Sequence, residues 1–319
     1  MPFPMDPLSH VLSMLQVGST LSSRLEAYGR WAFRYPAYAS HIKLGSVLSG
    51  RLQMQLGDGP PVVLEEGDFY LLTNGQPFAA ASIPPGPEQD AIPAYGDHRG
   101  ADGVVRFGNP EDGARVALAN GRFAFEGEVG DLLLRHLPPL IHLRAADPGT
   151  QPLAGLLDLL RWETGDARPG AVIAQANLAS LVLVQALRVY LATTPQPQGW
   201  LGAMGDTRIG AALSALHGDL AHRWTVDSLA AVAGMSRTAF AMRFKRLTGS
   251  TPLDYLVHWR MTVARHALKH GDAGIADIAE RVGYQSDTAF SAAFKRATGH
   301  SPGRFRLHGA ATPGTQLPN

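Results

Sequence analysis

The stretch TAFAMRFKRLTGSTP at residues 238–252 is repeated fifty residues later as TAFSAAFKRATGHSP at residues 288–302. Nine of the fifteen positions are identical in the two copies. A solenoid would need three or more copies to bury its core, and the sequence shows a single pair. The repeat therefore predicts two equivalent elements that the chain holds at a fixed separation.

Each copy follows a short apolar helix pattern and a glycine. In the first copy that pattern ends at Gly234, and Ser236 is a good N-cap for the next helix. The second copy repeats the arrangement with Gly283 and Ser286. A short helix, a tight glycine turn and a longer helix are typical of the helix-turn-helix. The spacing predicts two such motifs, at about 225–247 and 274–297.

Apolar residues at helical spacing predict a buried face on the longer helix of each motif. These residues are Phe240, Phe244 and Leu247 in the first motif and Phe290, Phe294 and Ala297 in the second. The opposite faces carry mostly small and polar side chains, which allow a helix to enter the major groove of DNA. The serine caps and the helix N-termini suit phosphate contacts.

The stretch between the copies, PLDYLVHWRMTVARHALKH at residues 252–270, reads as one helix. Nineteen residues make a helix about 28 Å long. Successive major grooves on one side of a duplex lie about 34 Å apart. The spacer helix therefore predicts two reading helices placed in neighbouring grooves of double-stranded DNA.

Charge is distributed unevenly along the chain. Residues 206–319 contain 14 lysines and arginines against 8 acidic residues, whereas residues 1–205 contain 14 against 19. A basic C-terminal part indicates contact with a polyanion there and not in the N-terminal part. The alternative is chance, because a net charge of +6 is modest.

The N-terminal part reads as mostly β, because short apolar runs such as RLQMQL and DFYLLT are separated by glycine and proline. Residues 84–103, rich in proline, glycine and aspartate, predict a long loop. Helical patterns begin at about residue 131. Residues 171–192 are the most apolar long segment, but Asn177, Gln185 and Arg188 interrupt it, which favours a buried helix over a membrane span.

These patterns predict an α+β chain of two domains, with a flexible tail at 309–319. The predicted boundaries are a sensor and dimerisation domain at 1–192, a linker at 193–205 and a DNA-binding domain at 206–308. The chain has no cysteine, so disulfides and thiolate metal sites are excluded. No secretory signal is visible in the sequence, and we expect a cytoplasmic protein without a membrane partner.

At this point the sequence resembles the AraC/XylS family of bacterial transcription regulators. The resemblance covers about 206–308 and rests on LAAVAGMSRTAFAMRFKRLTGSTPLDYL, on the A-R-x-A-L segment at 264–268 and on IADIAERVGYQSDTAFSAAFKRATGHSPGRFR. It implies two helix-turn-helix units joined by a long helix, which bind promoter DNA as an activator or a repressor. An activator would also contact RNA polymerase.

Carried over by position, the resemblance places base-facing sites in both longer helices. They fall on Thr238, Ala241 and Met242 in the first and on Asp287, Thr288, Ser291 and Ala292 in the second. No arginine or glutamine stands at these positions, so thymine methyl groups are better partners for the apolar ones than guanine edges. Asp287 either accepts from a cytosine amine or caps its helix. The residues expected around these sites, mostly for phosphate contact, are Ser236, Arg237, Arg243, Lys245, Ser286, Lys295 and Arg296.

The segment WAFRYPAYASHIKLGSVLSGRLQMQL, with VVLEEGDFYLLTNGQPF after it, resembles the cupin-like sensor domain of one subgroup of this family. That resemblance implies a small β-barrel, often with a pocket for a small-molecule effector, and trailing helices that help to form a homodimer. An inward lysine or arginine would favour an anionic effector. Residues on or beside the early strands and the next hairpin are the candidate effector contacts: Trp31, Arg34, His41, Lys43, Arg51, Gln53, Tyr70 and Phe78.

Two alternatives to an effector-controlled regulator stay open. In one, the barrel only dimerises and no ligand controls the protein. In the other, a metal-dependent cupin enzyme is fused to the DNA-binding domain. Cupin metal sites use several histidines, yet the first 205 residues lack a His-x-His pair and have Phe78 where a late ligand histidine is expected. We therefore expect no metal, no cofactor and no enzyme activity.

Overall fold

A computed structural model describes residues 6–14, 17–38, 41–125, 134, 137–165, 169–195 and 199–310. Spatial contacts divide the chain into two compact units. One unit contains Leu15–Glu126 and Gly130–Pro195 and is rich in strands, and the other contains Gln196–Asn319 together with the segment up to Met14 and is helical. The two-domain α+β organisation expected from the sequence is confirmed. The first two residues of the tail predicted at 309–319 belong to the last helix, and the rest of it lies outside the described residues.

The strand-rich unit contains eleven strands within the described residues. They are β1 (Val17–Tyr28), β2 (Ala32–Tyr35), β3 (His41–Ser49), β4 (Leu52–Leu56), β5 (Val62–Leu64), β6 (Phe69–Leu72), β7 (Phe78–Ala81), β8 (Glu88–Asp90), β9 (Val104–Phe107), β10 (Arg115–Phe125) and β11 (Leu140–Leu143). Two sheets result, with strand orders β11-β6-β3-β10-β1-β9 and β5-β4-β7-β2-β8.

The two sheets share one hydrophobic core. Leu25, Val47 and Leu118 of the six-stranded sheet are fully buried in one cluster with Phe33 and Met54 of the five-stranded sheet. The predicted β-barrel is therefore observed, in the described residues, as two sheets packed face to face and not as one closed sheet. Alternate residues of each strand turn towards this core, so its ends are lined by side chains from both sheets.

The segment predicted as a long loop at 84–103 contains regular structure. Strand β8 pairs in parallel with β2, and helix α2 (Ala91–Asp97) follows directly. The sequence prediction was wrong here because the β8 pairing depends on a strand more than fifty residues earlier and leaves no local periodic signal.

Two helices follow the last strand: α3 (Gln151–Gly165) and α4 (Ala171–Thr193). The helical region predicted from about residue 131 begins too early, because strand β11 pairs with the distant strand β6. Residues such as Leu183 and Leu187 of α4 are fully buried, whereas Ile173 near its start is exposed. Helix α4 is therefore buried mainly in its second half. It is long and apolar enough to cross a membrane, but a single such helix is weak evidence, because core helices pass the same test.

The helical unit contains the first helix and all described helices from residue 199 onward. The segment predicted as a linker at 193–205 therefore includes a helix with buried residues, at Gly199–Gly205. Their bounds are α1 (Pro7–Ser13), α5 (Gly199–Gly205), α6 (Thr207–Gly218), α7 (Val226–Val232), α8 (Arg237–Thr248), α9 (Pro252–His270), α10 (Ile275–Arg281), α11 (Asp287–Thr298) and α12 (Pro302–Ala310). Helix α9 has the bounds predicted for the spacer. Local signals explain this agreement, because Thr251 caps its start, Pro252 occupies its first position and Gly271 follows its end.

Helix α9 takes part in two successive cores. In its first half, Tyr255 packs edge-on against Phe244 of α8, and Trp259 is buried. In its second half, Met261 and Leu268 are buried in one cluster with Phe290 and Phe294 of α11 and with residues of α10. A single helix therefore connects both short helix pairs, α7–α8 and α10–α11.

The buried faces of α8 and α11 agree with the sequence pattern except at one position. Phe240, Phe244, Phe290 and Phe294 are fully buried, but Ala297 is exposed. The equivalent Leu247 is itself only half-buried, because both positions lie in the last turn of their helices. A methyl group covers less surface there than a leucine side chain, and the buried alanine of α11 is instead Ala293.

Candidate nucleic-acid interface

Helix α8 presents an exposed face opposite its buried phenylalanines. Thr238 and Lys245 are exposed, Met242 is 70% exposed and Ala241 is partly covered. The Ser236 hydroxyl oxygen accepts from the backbone N–H of Ala239 at 3.4 Å, which confirms it as the N-cap. An exposed apolar methionine between a threonine and a lysine suits contact with the edges of bases.

Helix α11 repeats this arrangement. The Ser286 hydroxyl accepts from the Ala289 N–H at 3.2 Å, so Ser286 is the N-cap and Asp287 is the first helical residue. Asp287, Thr288 and Ala292 are exposed, and Ser291 is partly covered. Of the two roles predicted for Asp287, that of the N-cap is therefore taken by Ser286.

The cations around these faces fall into two groups. Lys245, Arg246, Lys295 and Arg296 are exposed and form no ion pair with another residue that the structure describes. Such side chains can neutralise phosphates without losing a partner within the protein.

Arg237 and Arg243 form the second group, because each already pairs with a carboxylate. Arg237 Nη1 lies 2.9 Å from Asp227 Oδ2, and both side chains are exposed. The half-buried Arg243 donates through Nε to Asp206 Oδ2 at 2.9 Å, and its Nη2 contacts the same oxygen. Asp206 also caps α6, so Arg243 connects α8 to the start of that helix. No local sequence pattern indicates this partner, because Asp206 lies 37 positions before Arg243.

The pairing affects the Asp206 carboxyl in a definite direction. Burial raises its pKa, but the hydrogen bonds from Arg243 and from the backbone N–H groups of Ile209 and Arg208 lower it more, so the net shift is downward. The charged form of Asp206 is therefore stabilised in the folded unit.

Both short helix pairs turn through a glycine with a left-handed backbone. Gly234 has φ of 60° and Gly283 has φ of 77°, a region in which side chains are strained. The two turns differ in their surroundings. A Cβ on Gly234 would meet nothing within 4 Å, whereas one on Gly283 would lie 2.5 Å from Arg260 Nη2.

The candidate effector residues divide between one cluster and scattered positions. His41, Lys43, Tyr70 and Phe78 belong to strands whose side chains meet at one end of the space between the two sheets. Lys43 Nζ lies 4.8 Å from the centre of the Phe78 ring. The His41 ring stacks on Tyr38 at 4.4 Å, and the buried Tyr70 hydroxyl donates to Asn120 Oδ1 at 2.6 Å.

The other four candidates lie elsewhere. Trp31 is fully buried and stacks on Phe33, so it is a core residue. Arg34 is at the surface, where it pairs with Glu88 and Asp90. Arg51 is exposed beside an open groove, and Gln53 alternates with core residues of β4 and faces away from them. The structure does not bring these four to the cluster around Lys43.

Three residues of this cluster were missed by the sequence analysis. Tyr35 stacks on Phe78 with ring centres 4.3 Å apart, and Tyr38 lies beside Lys43. Arg122 stands directly opposite Lys43 on the neighbouring strand β10. The alternation of Leu118, Asn120 and Arg122 along one face was the available signal, but only the strand pairing shows which space they face.

Metal ligation has no support among the described residues. No group of three His, Asp or Glu side chains there could hold an ion. One histidine–carboxylate contact joins His142 Nε2 and Asp68 Oδ2 at 2.7 Å, and Asp68 also accepts from the backbone N–H groups of Glu65 and Ala145. Asp68 is therefore a buried structural acceptor.

Two family models match the chain, one mainly in the strand-rich unit and one in the helical unit. A model described as "Cupin" matches residues 6–192, and one described as "Helix-turn-helix domain" matches residues 229–308. The protein is thus of the class that joins an N-terminal cupin domain to a C-terminal helix-turn-helix domain.

Known proteins similar along most of the chain make the family clear. An AraC-like transcription regulator of Streptomyces lividans is 38% identical over 284 residues, which cover 88% of this chain and 91% of that protein. The HTH-type transcriptional regulator AlkR of Acinetobacter baylyi is 31% identical over 289 residues, covering 88% and 92%. The chain belongs to the family of AraC-like transcription regulators.

A solved structure is similar to the C-terminal part. The DNA-binding domain of AdpA in complex with a target DNA is 35% identical and covers 32% of this chain and 91% of its own, with a TM-score of 0.30. With the family established by the full-length relatives, the chain is a DNA-binding transcription regulator, as the sequence predicted.

Proposed function

We propose that the regulator reads two adjacent major grooves, with α8 in one and α11 in the other, and that both helix pairs are helix-turn-helix units. The observation that carries this proposal is the repeated exposed face of the two helices, connected by the single helix α9 that is packed into both cores. A helix of that length, about 28 Å, supports a separation near one turn of DNA.

Selection of bound sequences from random duplexes, followed by footprinting, tests the proposal. We expect two protected segments about 10 base pairs apart on one side of the duplex. Met242→Ala is expected to change the preferred bases in one segment only, and Thr288→Ala in the other only. A footprint confined to one half-turn, or an unchanged motif in both variants, contradicts the proposal.

The N-terminal domain is proposed to bind a small-molecule effector that changes the affinity for promoter DNA. Its cluster of aromatic rings around Lys43 supports this role, because a half-buried ammonium among apolar side chains is a feature of ligand sites. The competing function is a ligand-independent regulator whose cupin domain only dimerises. That alternative predicts DNA binding that no small molecule and no substitution at Lys43 alters.

The same domain is proposed to form a homodimer through α3 and α4. Large apolar side chains are exposed on both helices, and they are Leu159, Trp162, Val172, Ile173 and Leu181. Sedimentation of the full chain tests this proposal. Ile173→Glu is expected to weaken dimerisation at least about tenfold, whereas Gln55→Glu, at an exposed polar position on β4 of the five-stranded sheet, is not. A monomeric native chain contradicts the proposal.

We also infer that the chain is not an enzyme. The names of its full-length relatives describe transcription regulators, and the described histidines and carboxylates form no cluster suited to a metal. Metal analysis of the purified protein tests the inference, and one tightly bound metal per chain would contradict it. A cytoplasmic location stays a prediction.

A further inference from the structure

One end of the space between the two sheets holds a lysine that is surrounded by aromatic rings. Lys43 Nζ lies 4.5 Å from the ring centre of Tyr38, 4.8 Å from that of Phe78 and 5.2 Å from that of Tyr35. Lys43 belongs to the six-stranded sheet, whereas Tyr35 and Phe78 belong to the five-stranded sheet. The ammonium therefore lies between the sheets, and its side chain is half-buried.

A second cation faces the same space. In the antiparallel pair β3–β10, Arg122 is the direct partner of Lys43. Directly opposed residues project from the same face with Cβ atoms about 5 Å apart. Leu118 and Asn120, four and two positions earlier, share this face, and they contact the inter-sheet core and the Tyr70 hydroxyl respectively. Arg122 is half-buried, like Lys43.

Neither cation has an anionic partner among the residues that the structure describes. No ion pair or hydrogen bond from Lys43 or Arg122 to a described carboxylate is present. Aromatic faces attract an ammonium but carry no net charge that could neutralise it. Two like charges directly opposite each other destabilise a sheet pair, so this arrangement favours an added negative charge.

The protonation state of Lys43 is compatible with binding an anion. Burial lowers the pKa of its ammonium to about 8, and no acid among the described residues raises it. The side chain is therefore still mostly protonated at pH 7, although its charged form is penalised by burial. An anion beside it would remove much of that penalty.

We propose that Lys43 and Arg122 bind the carboxylate of a small organic acid whose apolar body lies against Tyr35, Tyr38 and Phe78. The two carboxylate oxygens match the two donors, and the guanidinium can bind such a group with two parallel hydrogen bonds. This inference rests on the proposed effector function of the domain and names the chemical class of its ligand.

The donor set favours a carboxylate over a phosphate. The nearby hydroxyls are already engaged, because Tyr35 and Tyr95 share a hydrogen bond of 2.7 Å and Tyr70 donates to Asn120. The rings of Tyr38 and Phe78 leave an apolar wall. A tetrahedral phosphate would turn some of its oxygens towards these rings, whereas a carboxylate places both oxygens beside the two cations and its apolar body against the rings.

Calorimetric titration of the full chain tests the inference with three probes: butyrate, cinnamate and 1-naphthoate. Each carries one carboxylate on an apolar body of a different size, and the amide of each acid serves as its uncharged control. We expect at least one carboxylate to bind once per chain, and its amide to bind at least about tenfold more weakly. Binding of no carboxylate, or equal binding of acid and amide, overturns the inference.

Variants identify the site. Lys43→Met and Arg122→Met are each expected to weaken carboxylate binding about tenfold or more. Arg34→Met removes a cation of the same domain that already pairs with Glu88 and is expected to leave binding unchanged. Equal affinity of the native chain and both site variants overturns the inference.

Stability and DNA binding provide independent readouts. Without added carboxylate, each site variant is expected to unfold at a temperature no lower than the native chain, because it removes one of two opposed charges. Loss of the fold in both variants would show that the cations are structural and overturns the inference. If the native chain binds a carboxylate but its DNA affinity does not change, the anion site stands and the proposed effector control fails.

Discussion

Arg260 Nη2 lies 2.6 Å from the carbonyl oxygen of Leu220, and it also donates to the carbonyl oxygen of His222 at 2.9 Å. Arg260 belongs to the spacer helix α9, and its guanidinium also lies 6.0 Å from the ring centre of Tyr284 in the turn between α10 and α11. The side chain therefore connects the loop before the first helix pair with the turn of the second. Such a connection fixes the separation on which the proposed reading of two grooves depends.

Substitution at the turn glycines tests this connection. An added Cβ on Gly283 would lie 2.5 Å from Arg260 Nη2, 2.8 Å from the Leu220 oxygen and 2.9 Å from the Ala221 oxygen. Backbone atoms cannot move away as a flexible side chain can, so we expect Gly283→Ala to destabilise the chain by about 2–3 kcal/mol. Denaturant unfolding monitored in the helical unit measures the effect.

Gly234 provides the matched control. It occupies the equivalent turn with φ of 60°, but a Cβ there would meet nothing within 4 Å. Gly234→Ala is therefore expected to cost only the backbone strain, about 1 kcal/mol. Equal losses of stability in the two variants would show that the contacts around Arg260 contribute nothing measurable.

Arg243 is predicted to act on stability as well as on DNA binding. Its guanidinium pairs with Asp206, whose carboxylate is mostly buried and caps α6. Arg243→Met removes a charged hydrogen-bond donor from that carboxylate, and we expect a loss of about 1–2 kcal/mol in the free energy of unfolding.

Arg246→Met is the control for this prediction, because Arg246 is exposed on the same helix. Its replacement is expected to change stability by less than about 0.5 kcal/mol. If the Arg243 variant unfolds at the same denaturant concentration as the native chain but binds DNA more weakly, Arg243 is a phosphate contact alone.

The buried His217 predicts a dependence of stability on pH. Its Nε2 lies 2.8 Å from the Tyr255 hydroxyl, and its ring packs against Trp259 at 4.6 Å and against His10 of α1 at 5.7 Å. Burial lowers the pKa of His217 to about 3, and the neighbouring His10 contributes in the same direction. The unfolded chain takes up a proton near pH 6.5, whereas the folded chain does not.

The direction of the change in stability with pH follows from the difference in proton binding between the folded and unfolded states. A group with a lower pKa in the folded state stabilises the fold above pH 6.5, and this stability is lost as the pH falls towards 3. We expect the temperature at the midpoint of unfolding to decrease when the pH is lowered from 7.5 to 5. The decrease should be smaller in His217→Gln. The exposed His222→Gln should behave as the native chain does. An identical pH dependence in the His217 variant would exclude this residue as the source.

The helical unit could be predicted from the sequence because its signals are local. Ser236 and Ser286 are N-caps that mark where their helices begin. Pro252 marks the start of the spacer helix and Gly271 its end. Each signal lies within one turn of the boundary that it determines. The error at Ala297 arose because helical spacing gives direction and not depth, and the last turn of a short helix is only partly covered.

The strand-rich unit could be predicted only in outline. Its strands give alternating patterns, but their partners are distant, and Arg122 reaches its place opposite Lys43 through a pairing across 79 positions. No local pattern distinguishes an inward lysine from a surface one. The sequence therefore placed Lys43 among eight effector candidates without showing that four of them lie elsewhere.

The salt dependence of DNA binding distinguishes phosphate contacts from base contacts. Lys295 is exposed near the end of α11 and forms no ion pair with another described residue. If it neutralises one phosphate, Lys295→Gln weakens binding to every sequence by a similar factor. It also reduces the magnitude of the negative slope of log affinity against log salt by about 1.

Thr288→Ala, on the same helix, is expected to change base preference and leave the slope unaltered. Titrations at several salt concentrations measure both quantities, and Lys269→Gln, outside the two reading helices, is the control. An unchanged slope in the Lys295 variant would remove this lysine from the phosphate contacts, and a changed slope in the Thr288 variant would contradict its assignment to the bases.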